Sequence, residues 1–117
     1  MPAKNIVQLK SYAFSVRIVK LYQFLCDNKK EYTLSKQILR SGTSIGANIE
    51  EAIGGISKKD FIAKCSISYK EARETHYWIR LLKDTDYIDV KMAESLLVDC
   101  DELLKLLFSI IRSSRKN

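Results

Sequence analysis

Acid–base or nucleophilic chemistry in this chain would have to pass through a single histidine, His76. A di-iron site in a helical bundle needs Glu-x-x-His on two helices and a carboxylate from each of the others. The residue three before His76 is Arg73, so that pattern fails. A Ser–His–Asp arrangement would also need His76, and no nucleophile elbow accompanies it. His76, between Thr75 and Tyr77, reads as a surface or packing residue. Cys26, Cys65 and Cys100 are too far apart for a Cys-x-x-Cys pair, which removes the usual zinc spacing. Gly54-Gly55-Ile56-Ser57-Lys58-Lys59 does not match the phosphate-cradling Gly-x-x-x-x-Gly-Lys-Ser/Thr loop. Ser57-Lys58-Lys59 could hold one phosphate at a helix N-terminus, although capping alone explains Ser57. The expectation is a protein without catalytic residues, metal or cofactor.

Binding chemistry is better represented. Residues 1–40 hold eight Lys/Arg against two Asp/Glu, residues 41–111 hold nine against twelve, and the last six residues add three cations. An antiparallel fold could bring a basic first segment near a basic tail. Lys10, Arg17, Lys20, Lys36, Arg40, Arg112, Arg115 and Lys116 are the candidate contacts to nucleic acid, which such a patch would attract through counterion release. A lysine excess that only keeps the protein soluble is the competing explanation. Gln37, Ser41, Ser44, Asn48 and Glu51 form a polar row at three-four spacing. Such a row makes inter-helix hydrogen bonds or lines a binding groove. Tyr69, Tyr77 and Trp78 could stack on bases, or be core and interface residues.

Four amphipathic segments must position these groups. In the first, about 5–28, Val7, Phe14, Ile18, Leu21 and Leu25 form one stripe, and Tyr12, Val16, Val19 and Cys26 a second. The second segment, 33–53, opens on Thr33 as a plausible N-cap and carries Leu34, Ile38, Ile45, Ile49 and Ala52. Gly42 and Gly46 lie inside it, where glycine permits close approach of another backbone, and Gly54-Gly55 would cap its end. The third, 57–83, starts at Ser57 with Asp60 three residues on, and keeps Phe61, Cys65, Ser68, Ala72, Thr75, Ile79 and Leu82 in register. The fourth, 89–114, has the clearest stripe, from Ala93 through Leu96, Cys100, Leu103 and Leu107 to Ile111. Similar lengths and short breaks specify an all-α, antiparallel up-down-up-down four-helix bundle in one domain, 1–117. The surplus apolar positions on the first and fourth helices call for a homo-oligomer that covers them.

With 117 residues the chain can bury a real core, and 46% hydrophobic against 29% charged excludes wholesale disorder. No apolar run approaches the roughly 20 residues of a membrane span. The odd cysteine count and the lack of a leader at the start point to a reducing, cytoplasmic setting.

The stretch from Gln37 to Ala52, QILRSGTSIGANIEEA, resembles the signature of the four-helix-bundle family encoded by 23S rRNA intervening sequences. Gln-x-x-Arg-Ser, then Ser-Ile-x-x-Asn-Ile-x-Glu, is followed by an aromatic at Phe61 and by Glu74 with Tyr77 and Trp78. Gln37, Arg40, Ser44, Asn48 and Glu51 occupy signature positions, which implies a role in the bundle or its assembly. The family is also similar to the accessory variability protein of diversity-generating retroelements, a basic five-fold assembly that binds reverse transcriptase and nucleic acid. The resemblance implies a bacterial, cytoplasmic, non-enzymatic bundle assembling into a homopentameric ring. Its partner would be RNA or DNA, held by the basic surface. The alternative is a scaffold docking a protein such as a reverse transcriptase, without touching nucleic acid.

Overall fold

The structure, a computed structural model, describes residues 2–116, with side chains from residue 6 onward. It holds four helices in sequence: α1 (Pro2–Lys29), α2 (Leu34–Ile53), α3 (Lys58–Asp84) and α4 (Val90–Arg115). They pack antiparallel into a rod 47 × 21 × 19 Å. Each helix lies against its neighbour in sequence, and α4 returns to α1 along a looser seam. One end of the rod carries the α2–α3 turn and the C-terminus of α4. The opposite end carries the α1–α2 and α3–α4 turns.

The stripes legible in the sequence form the core. Phe14, Ile18, Leu25, Ile38, Ile45, Ile49, Ile79, Leu82, Leu103 and Leu107 are fully buried. Each contributes about 1.5–3 kcal/mol through removal of apolar area from water. Between α1 and α2 the approach is close enough to require glycine. A Cβ at Gly46 would lie 3.3 Å from the Ser11 carbonyl oxygen, and one at Gly42 would lie 2.7 Å from Cγ1 of buried Ile18. Small polar residues play the same part between α2 and α3. Ser68 donates to the Ile45 carbonyl at 2.8 Å, and Thr75 Oγ1 sits 2.9 Å from Ser41 Oγ. Their hydroxyls are satisfied inside the core, so they bring two helices together without an unpaired dipole.

The helix ends correct one expectation, the Thr33 cap, and refine another, since Gly54 does close α2 with its N–H bonded to the Glu50 carbonyl. Thr33 makes no side-chain cap bond, because its backbone is helical rather than extended. Glu31 caps α2 instead: its carboxylate accepts from the N–H groups of Thr33, Leu34 and Ser35 at 3.2, 3.0 and 2.7 Å. Gly54 ends α2 without a left-handed turn, at φ −81°. The crowded glycine is the next one: a Cβ at Gly55 would stand 2.6 Å from Asp60 Oδ2 and 3.0 Å from the Ala52 carbonyl oxygen. The left-handed positions belong to Lys30 (φ 54°) and Asp86 (φ 66°). These close α1 and α3, with Glu31 N–H bonded to Leu25 O and Tyr87 N–H to Leu82 O. Ser57 and Asp89 cap α3 and α4 through the N–H groups of Asp60 and Met92.

Candidate nucleic-acid interface

The eight cations singled out in the sequence do not converge on one face. Three are held by carboxylates of neighbouring helices. Lys10 pairs with Glu102 at 3.2 Å, and Arg17 with Asp99 at 2.7 Å, tying α1 to α4. Arg17 also donates to Ser95 Oγ at 3.0 Å. Arg40 bridges α2 to α3 through Glu71 and Glu74, which raise its pKa, Glu74 most. Lys20 lies on α1 and Lys36 in the first turn of α2, both toward the end that carries the α1–α2 turn. Arg112, Arg115 and Lys116 lie at the opposite end.

At that far end α3 and α4 frame a groove of about 500 Å³. Ser66, Tyr69 and Lys70 line it from α3; Phe108, Ile111, Arg112 and Arg115 line it from α4, with Lys116 just beyond. Spacings of three and four put each set on one helix face. The floor is apolar and partly aromatic. Tyr69 and Phe108 meet at a centroid distance of 6.3 Å and an interplanar angle of 47°, and Phe108 remains 54% exposed. Lys70, Arg112, Arg115 and Lys116 form the rim. Among the described residues, no carboxylate lies within ion-pair distance of any of these four. Arg112 and Arg115 suit the negative end of the α4 dipole. Lys70 stands mid-way along α3, so the cluster is more than a helix-end effect. Ser66 Oγ, beside the floor, donates to the Ile62 carbonyl at 2.8 Å. Such a recess can hold an anion that carries a flat apolar body.

Within the signature row of α2, Ser44 and Asn48 bond to their own helix, and Arg40 and Glu51 cross to α3. Ser44 donates to the Arg40 carbonyl and Asn48 to the Ser44 carbonyl. Glu51 pairs with Lys64 of α3 at 2.8 Å, which raises the lysine pKa. Gln37 is exposed. Trp78 Nε1 donates to Glu74 at 3.1 Å, and Tyr77 packs edge-on against Trp78 at 5.1 Å. His76 lies 3.1 Å from Asp101 of α4 and accepts from Arg80 Nε at 3.1 Å. Of the three aromatics proposed to stack on bases, Tyr69 reaches the groove.

A family model described as 23S rRNA-intervening sequence protein matches residues 3–109. The chain belongs to this family. A crystal structure from Bacteroides thetaiotaomicron VPI-5482, of a protein with unknown function from the S23 ribosomal protein family, superposes with a TM-score of 0.93. The two are 55% identical, over 94% of this chain and 98% of that one. No curated protein matches. For this intervening-sequence protein, Arg40 and Glu51 of the helix-two signature pair across the α2–α3 seam.

Sequence did not flag Lys70 or Phe108 as partners of the C-terminal cations. The signal that could have found them is pairing: antiparallel helices joined by a short turn set the first half of α3 beside the last turns of α4. No described helix is long and apolar enough to cross a membrane.

Proposed function

We propose that this intervening-sequence protein is a non-enzymatic, self-associating bundle that binds nucleic acid at the cationic end of its α3–α4 face. One observation carries this: Lys70, Arg112, Arg115 and Lys116 surround one groove and lack carboxylate partners among the described residues. Unpaired cations exchange condensed counterions for phosphates without first breaking an internal ion pair. Lys20 and Lys36 are secondary contacts at the other end. Binding of RNA and duplex DNA across a salt series tests the proposal. A linear fall of log affinity with log salt supports it, and no binding at low salt overturns it.

Self-association rests on α1. Leu9, Tyr12, Val16 and Val19 expose 72, 70, 41 and 39% of their surface in a continuous three-four row. A row of that length needs a cover. We assign it to contacts between copies, with a homopentamer as the expected assembly; sedimentation of Tyr12→Glu against the parent chain checks this. The same row favours a second reading, docking of a protein such as a reverse transcriptase. That reading expects a partner whose capture survives nuclease treatment. Three cysteines outside any disulfide, two of them buried, suit the bacterial cytoplasm.

A further inference from the structure

We infer that the α3–α4 groove receives an unpaired base, so that single-stranded nucleic acid is its ligand rather than duplex. The inference rests on the nucleic-acid reading above and specifies its substrate class. A cationic rim alone would serve any polyanion. The floor is what discriminates.

Phe108, 54% exposed, lines the groove together with Ile111 and the four cations, and its ring meets that of Tyr69. A base cannot slide between the two aromatic rings. Two carbon contacts of 3.5–4.0 Å would need about 7 Å or more, and the centroids are 6.3 Å apart at an angle. The base therefore lies on the outer face of Phe108, and Tyr69 holds that side chain in place. Phosphates on either side of the base reach Arg112 and Arg115 on α4 and Lys70 on α3. The guanidiniums are well suited to this, since they offer planar paired donors to phosphate oxygens. A recess of about 500 Å³ admits a nucleotide. A duplex keeps its bases inside the stack. It would touch the rim and leave the floor uncovered.

Stacking on a single aromatic is sequence-tolerant, because every base has a π-face. The expected ligand is an unstructured strand or loop with little sequence preference.

The test uses the full-length chain. Its probes are an unstructured oligouridylate and an RNA duplex matched in phosphate number, with 2-aminopurine in a second single strand. Phe108 is half exposed, so Phe108→Leu keeps an apolar floor and the fold while removing the flat face. The inference expects Phe108→Leu to weaken the single strand about 5- to 150-fold. Duplex affinity and the salt slope should stay unchanged. Phe108→Tyr should restore the single strand, and 2-aminopurine should be quenched by the parent chain and by Phe108→Tyr alone. Arg112→Gln with Arg115→Gln should weaken both probes and lower the slope. If Phe108→Leu leaves the single strand unaffected while the arginine variant still weakens it, the base site is overturned and electrostatic binding stands. A change of oligomer size with unchanged affinity would overturn it too, and would give the groove to a second copy. If the parent chain binds neither probe, both readings fail.

Discussion

The α2–α3 seam and the far end of the α3–α4 face are built from similar residue types and end in opposite states. In the seam, Arg40 lies between Glu71 and Glu74, Lys64 meets Glu51, and Ser68 and Thr75 find partners inside the core. At the far end, four cations surround two aromatic rings, and no described carboxylate answers them. The seam uses its polar groups to fix which helices meet, and the open end leaves its charges for a ligand. Polar residues of one bundle therefore divide into those that hold it together and those available to something else. Pairing state separates them better than charge does.

The largest expected effect lies in the seam. Ile45→Ala removes a fully buried side chain and should lower unfolding free energy by about 2–5 kcal/mol. Chemical denaturation would measure it. Gly42→Val should cost about 1–3 kcal/mol by forcing Ile18 off its site, even though valine alone has the better helix propensity. If it stabilises the protein, the close approach of α1 to α2 is not required.

At the entry to α2, Glu31 gives a pH dependence. Desolvation disfavours its charged form, but the N–H groups of Leu34, Ser35 and Thr33, with the Ser35 hydroxyl, outweigh it and hold the carboxyl below its ordinary range. A carboxyl lowered on folding contributes stability above its unfolded pKa, and loses it as pH falls through the folded value. Glu31→Gln should cost about 0.5–2 kcal/mol at pH 7, in line with loss of an N-cap. The difference from the parent should shrink as the pH drops below the carboxylate range.

The smallest expected effect sharpens the contrast itself. Arg40→Gln breaks a solvent-exposed pair and should cost about 0–1 kcal/mol. It should leave nucleic-acid affinity nearly unchanged. A large loss of binding would place a phosphate on the seam and dissolve the distinction between the two regions.

Much of the fold was legible because burial follows periodicity. Val7, Phe14, Ile18, Leu21 and Leu25 share one face by spacing alone, and all five are buried. The second stripe of α1 was legible as surplus, and Tyr12, Val16 and Val19 are exposed. Caps were less readable. Thr33 is a favourable cap by type, yet the left-handed turn at Lys30 carries Glu31 to the helix start first. The candidate interface was half legible. Arg112, Arg115 and Lys116 stand together in sequence, whereas Lys70 joins them only through antiparallel packing. Arg17 and Asp99 are 82 positions apart, and the register that pairs them is a property of the α1–α4 seam. Local spacing cannot report whether a cation will be neutralised by a distant helix.

The central claim is that binding resides where the cations are unpaired. Its most direct test is the salt dependence of oligonucleotide affinity for three proteins: the parent, Arg112→Gln/Arg115→Gln, and Arg17→Gln/Arg40→Gln. The account predicts that the first pair of substitutions lowers the log–log slope by about 1.4–1.8 and weakens binding at every salt concentration. The second pair should leave the slope unchanged. Equal loss from both pairs, or a loss confined to the second, would contradict it.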